Sequence, residues 1–211
     1  MTLSFAYGLA LYLLVLLAAE RGAGPRVPEA LLGRLKGLLA VFVWGAVYFE
    51  LARHLTNLYA AEHRAYEAWL LAGGNAYTAA FWLGQMGLGL VLPLALLHAP
   101  VGALRPRLVG ASLAVAAGGL VQMYVTIIAG QAYPLQLFPG KQVTSPFADG
   151  VVAGYAPSLP ETLLGAGGIA AALLATAVIM RLFPILPTGF ADGAPEAPSE
   201  AEPAGEPEPA E

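Results

Sequence analysis

The sequence predicts an all-α integral membrane protein with about five transmembrane helices in one bundle, and three observations carry that prediction. Hydrophobic residues make up 58% of the chain and charged residues only 11%, where soluble domains carry about 25% charged residues. The mean hydropathy is +0.67. Five apolar segments then succeed one another, Leu3 to Ala19, Leu38 to Ala60, Tyr77 to Ala99, Leu108 to Gly130 and Glu161 to Phe183, each near the ~20 residues that cross ~30 Å of hydrocarbon.

The first segment opens the chain as MTLSFAYGLALYLLVLLAAERG. No basic stretch precedes it and no clear small-residue cleavage site follows, so it reads as a retained transmembrane helix and not a signal peptide. The second segment is the one around which the others are organised. It carries Glu50, Arg53, His54 and Asn57 on one helical face, with Trp44, Phe49, Leu51, Leu55 and Tyr59 spread over the rest. A charge at mid-bilayer costs ~3 kcal/mol on insertion scales, so such residues face a bundle interior and often mark ion or proton paths. Glu50 can meet Arg53 at i+3 and His54 at i+4. Two readings stay open: a proton relay or polar groups near a quinone head, and an internal ion pair that locks the helix to its neighbours.

The third and fourth segments are rich in small residues, Gly84, Gly87 and Gly89 in one and Gly110, Ala114, Gly118 and Gly119 in the other, as is the fifth with Gly165, Gly167 and Gly168. Small residues let backbones approach closely where lipid removes the hydrophobic drive for pairing. Pro93 is expected to bend the third helix. Gln85, Gln122, Tyr124 and Thr126 add neutral hydrogen-bonding groups. Each could serve as glue between helices, and together they could extend a polar path from Glu50.

A long connection, 131–160, follows the fourth segment and is punctuated by turn-forming Pro and Gly and by Tyr133, Phe138, Phe147 and Tyr155. It reads as an ordered cap on the outer side. Ser158 followed by Glu161 is a capping box opening the fifth helix, with Pro160 in its first turn. The bundle is expected to occupy 1–188. The remainder, 189–211, is Pro- and Glu-rich and reads as a disordered acidic cytoplasmic tail. Seven of the fourteen acids lie there, so the formal charge of -4 conceals a slightly basic body.

Orientation follows from the cations. Arg21, Arg26, Arg34, Lys36, Arg105, Arg107 and Arg181 fall on one side of the succession of helices, and only Arg64 and Lys141 on the other. The positive-inside rule places the first set in the cytoplasm, with the N-terminus outside and the C-terminus inside a cytoplasmic (inner) membrane. A first helix that enters from outside is natural if further helices precede it.

Several chemistries are excluded. With no cysteine the chain cannot hold an iron–sulfur cluster or a thiol nucleophile. Of the three histidines His54, His63 and His98, only His54 lies well inside an apolar run, which argues against a bis-histidine haem. No phosphate loop, zinc spacing, Ser/His/Asp set or nucleic-acid signature is present. The chain is therefore expected to bind no metal or covalent cofactor, to contain no catalytic residue of its own, and to work with partners in the lipid bilayer.

Three stretches, VYFELARHLTNLY (47–59), FWLGQMGLGLVLPLALL (81–97) and YAPSLPETLLGAGG (155–168) leading through RLFPILP, resemble the NrfD/PsrC family of membrane quinol-interacting subunits. The stretch QMYVTIIAGQAYPLQLFPGKQV is most similar to the DsrP branch, associated with dissimilatory sulfur metabolism. The resemblance runs over nearly all of 1–188, and the five helices correspond to the later part, the fourth to eighth, of an eight-helix fold. It implies a membrane subunit of a quinone-linked respiratory oxidoreductase that anchors a ferredoxin-like iron–sulfur subunit, alongside other subunits such as a cytochrome. Menaquinone or ubiquinone would serve the whole complex, and an N-terminal half of the family fold would be missing or on another chain. The family's quinone pocket lies in its first four-helix bundle, so no quinone ligand transfers by motif. Gln85 stands where many relatives have an acidic residue. The proton-pathway or polar-core candidates are Glu50, Arg53, His54, Asn57, Gln85, Gln122 and Tyr124. The rival classes are an ion or proton transporter, against which stands the absence of a broken-helix site or paired inverted repeats, and a purely structural anchor.

Overall fold

The computed structural model describes residues 2–22, 26–100, 102–134 and 150–183. The tail 189–211 and most of the long connection lie outside them. Six helices organise the described residues: α1 (Thr2–Arg21), α2 (Glu29–Tyr59), α3 (Ala61–Ala72), α4 (Ala76–His98), α5 (Leu104–Ala132) and α6 (Leu159–Leu182). All but α3 are long and apolar enough to cross a membrane. The chain is an all-helical, multi-pass membrane protein.

Helix α2 begins at Glu29 and not at Leu38. A hydropathy reading stops where Arg34 and Lys36 interrupt the apolar run, but long cationic side chains can lie along a helix and keep their heads in water. At about 1.5 Å per residue α2 is about 46 Å long, so it extends well beyond the hydrocarbon. Helix α3 was not anticipated. Its sequence, AEHRAYEAWLLA, is polar enough to read as a connection, yet it buries Glu67 and Leu70, one turn apart, against the bundle.

Helices α1, α2, α4 and α5 form the bundle, with α4 against α5 and α1 against both α5 and α2. Its interior is layered. One apolar cluster, including Leu13, Leu16, Leu32, Leu39, Val43, Leu97 and Leu108, fills the half nearer the α1–α2 connection. A second, with Leu70, Tyr77, Phe81, Val125 and Ala129, lies beneath α3. Along α2, α4 and α5 the buried polar residues Glu50, His54, Gln85 and Gln122 fall between these two clusters.

Two helices leave the α register where they border this polar layer. Ala80–Val91 of α4 and Val125–Ala129 of α5 are π-helical, a geometry that is rare and concentrates at functional sites. The π segment of α4 ends just before Pro93, which falls in the first turn of the renewed α register, where a missing N–H is tolerated.

Glycines set the spacing of α4 on α5. A Cβ on Gly89 would lie 2.9 Å from the Gly118 Cα, one on Gly84 2.6 Å from Val121 Cγ1, and one on Gly119 2.7 Å from the Tyr7 ring. The small-residue expectation therefore applies to α4 and α5. It does not apply to α6, where Gly165, Gly167 and Gly168 have no neighbour within 4 Å. The capping box at Ser158 forms, with the Ser158 N–H donating to Glu161 at 2.7 Å, but α6 buries none of its residues. It stands outside the four-helix core, because its apolar surface runs all round and no face is polar enough to set a direction of packing.

At the rim nearer the α1–α2 connection, Arg105 of α5 donates to Glu20 at 3.0 Å, to the Val27 carbonyl at 2.8 Å and to Glu29 at 3.3 Å. One guanidinium thus ties α1, α2 and α5 together. Replacing Gly118 with Leu should destabilise the bundle by about 1–3 kcal/mol or more, the usual cost of overpacking. Gly167→Leu should leave stability within about 0.5 kcal/mol. Unfolding of both variants in the same lipid or detergent checks this pair.

Candidate functional site

The polar layer is a connected cluster drawn from α1, α2, α3 and α5. Glu50 lies about 14 Å along α2 from its end at Tyr59, at about 1.5 Å per residue. It is there because Val43, Ala46, Glu50 and His54 share the inward face of α2. Arg53 donates to Glu50 Oε2 through Nη2 at 2.7 Å and Nε at 3.2 Å. The other oxygen, Oε1, accepts from Gln122 Nε2 of α5 at 2.5 Å. The amide oxygen of Gln122 in turn accepts from the Tyr7 hydroxyl of α1. Gln122 is held at both ends, so it orients Glu50 and does not itself exchange a proton.

On its other side the cluster runs to α3. His54 Nδ1 lies 2.7 Å from Glu67 Oε2, and Asn57 donates to Glu67 Oε1 at 2.7 Å. Glu67 has 0% exposure, so these bonds satisfy a carboxylate removed from solvent. Arg53 Nη2 also approaches His54 Nε2 at 3.1 Å. A guanidinium only donates, so Nε2 accepts, and Nδ1 carries the hydrogen that is given to Glu67. The His54 ring is held edge-on against Phe81 at 4.8 Å between centroids.

The cluster sets two carboxylates against one arginine with the His54 ring between them, Nδ1 at Glu67 Oε2 and Nε2 3.5 Å from Glu50 Oε2. Tyr66, beside this group on α3, adds no further charge, because burial and then the Glu67 carboxylate raise its hydroxyl above the usual tyrosine range.

The sequence candidates divide on placement. Glu50, Arg53, His54, Asn57 and Gln122 are brought into one hydrogen-bonded set. Gln85 lines a small chamber with Glu50, Gln122 and Tyr7. Tyr124 is elsewhere: its ring stacks on Tyr77 at 6.0 Å, within an aromatic group beneath α3 that includes Trp69 and Tyr133. Thr126 is exposed, His98 bonds the Leu94 carbonyl at 2.9 Å, and His63 is exposed on α3. Two members were missed from sequence, Glu67 and Tyr7. Glu67 could have been found by placing AEHRAYEAWLLA on a helix, where it shares a face with Leu70 and Asn57's helix must pass nearby. Tyr7 offers only a lone hydroxyl in an apolar run.

Among the described residues no group of His and acidic side chains has the make-up of a metal site. The chamber beside Glu50 leaves about 10 Å³ for water centres, whereas pockets for ligands of drug size run from about 300 Å³ upward. A quinone ring does not fit beside Glu50.

The sequence model of the family described as "Polysulphide reductase, NrfD" matches residues 1–134. The match takes in α1 to α5, including every residue of the cluster, and stops short of residue 188, to which the resemblance of individual stretches extends. Neither the curated proteins nor the solved structures contain a significant match. The chain belongs to the NrfD family.

Truncating Glu67 to Ala should destabilise the chain by about 3–5 kcal/mol, because His54 and Asn57 lose a buried partner. His63→Ala, four residues earlier on the exposed face, should stay within about 0.5 kcal/mol. Parallel unfolding measurements distinguish a cluster that binds α3 to α2 from a decorative surface helix.

Proposed function

We propose that this NrfD-family chain is the membrane subunit of a quinol-linked respiratory oxidoreductase, that it anchors an iron–sulfur partner, and that its buried cluster takes up and returns a proton as the complex turns over. The observation that carries the proposal is the unequal count of charges: two carboxylates, Glu50 and Glu67, converge on His54 with one arginine between them. A lock needs only matched charges. A group that must change its proton number needs the imbalance found here, with an imidazole at its centre whose two nitrogens already face an acid and a guanidinium.

The roles follow from position. Glu67, under α3 and nearer the rim that bears the N-terminus, is the outer proton-holding group. His54 passes the proton by giving Nδ1–H to Glu67 and accepting at Nε2. Glu50 is the inner group, and Arg53 limits how much charge it can shed. Asn57, Gln122 and Tyr7 fix the two carboxylates. Between this layer and the opposite rim lies the larger apolar cluster, so proton exchange is supported from one face only. The positive-inside count assigns that face to the outside of the inner membrane. The chamber beside Glu50 has no room for a quinone ring, which favours placing the redox chemistry away from this cluster. The DsrP-like stretch through 122–143 favours a place in dissimilatory sulfur metabolism.

Glu50→Gln keeps the shape of the side chain and the acceptor that faces Arg53 while removing the exchangeable charge; its amide nitrogen cannot accept from Gln122, whose amide must turn to meet it. In the assembled complex it should lower quinol-linked turnover about a hundredfold or more, the order of a general acid–base contribution, with the amount of assembled complex unchanged. Parallel loss of assembly and turnover would assign the cluster to structure. Proton uptake by liposomes holding the isolated chain would favour the transporter class instead.

A further inference from the structure

Gln85 is buried, with 3% of its surface exposed, and among the described residues neither its amide nitrogen nor its carbonyl oxygen has a hydrogen-bond partner. A buried donor and acceptor left unsatisfied are both costly, and an apolar residue at the same position would avoid that cost. The surrounding geometry supplies the reason. Gln85 lines a small, partly open chamber with Tyr7, Glu50, Gln122 and the glycines Gly89, Gly118 and Gly119. The glycines bring its walls together: a Cβ on Gly89 would meet the Gly118 backbone and one on Gly119 the Tyr7 ring. The π register of α4 runs on both sides of Gln85.

We propose that this chamber is a binding site for a single water molecule that joins Gln85 to the Glu50–Gln122–Tyr7 set. Its room for water centres, about 10 Å³, is at the threshold for one water of ~10–15 Å³ and far below any larger ligand. A buried water needs two to four polar partners, and it has them here: the Gln85 amide as donor and acceptor, and the Glu50 carboxylate, Gln122 amide and Tyr7 hydroxyl lining the same space. Gln85 is thereby a positioning residue. It extends a cluster made by α1, α2, α3 and α5 onto α4, the one helix of the bundle that otherwise contributes no polar group to it.

The test is an experimental map of the full chain in its assembled complex, or in lipid crystals, at a resolution that shows ordered water. The expected result is one spherical peak within hydrogen-bond reach of Gln85 and of Glu50, Gln122 or Tyr7, and its loss in Gln85→Leu. If Gln85→Leu does not fold, Gln85→Met should show the same loss. A wild-type chamber without density would overturn the proposal. So would elongated density from a lipid or quinone, or a Gln85 amide turned onto a protein group.

Discussion

The structure depends on the burial of Glu50. A carboxylate inside an apolar bundle must be met by donors, and each donor fixes a different element: Arg53 from its own helix, Gln122 from α5, and Tyr7 behind Gln122 from α1. The glycines follow from this requirement. Gly119 is bare because the Tyr7 ring lies across it, and Gly89 and Gly118 are bare because α4 and α5 must approach until Gln85 and Gln122 face one chamber. What composition alone reads as general packing of small residues is thus, in α4 and α5, the scaffold of a polar site. In α6, where no polar residue needs a partner, comparable glycines have no neighbours.

Polarity also explains the place of α3. Once Glu50 has consumed the positive charge of Arg53, His54 requires an acceptor for its Nδ1 hydrogen, and nothing on α2 can provide one from the right direction. Glu67 does so from a short helix folded back over the bundle, and Asn57 holds its second oxygen. The second carboxylate sets two acids against one arginine. Apolar layers lie on either side, of which that nearer the α1–α2 connection is the deeper.

Much of this was legible in the sequence. Hydropathy located the five long helices, because lipid imposes length and composition directly. The helical spacing of Glu50, Arg53, His54 and Asn57 placed them on one face, because i, i+3, i+4 and i+7 leave no choice. The limits were equally physical. Arg34 and Lys36 concealed the first turns of α2, since hydropathy penalises side chains that in fact reach past the hydrocarbon. Glu67 was hidden in a segment whose polarity is that of a connection, and its significance comes from a tertiary contact with His54. Tyr124 joins the aromatic group around Tyr77 because, two residues after Gln122, it points about 200° away from it on the α-helix. Packing also separated α6 from the other spans, a distinction that five similar hydropathy peaks do not contain.

The central claim is that the Glu50–His54–Glu67 group changes its proton number during turnover. Redox-induced infrared difference spectroscopy of the assembled complex observes this directly. A carboxylic or imidazolium band is expected to appear and disappear with the redox state and to be altered in Glu50→Gln and Glu67→Gln. Identical spectra in the wild type and in both variants would contradict it and leave the cluster as a structural tie between α2, α3 and α5.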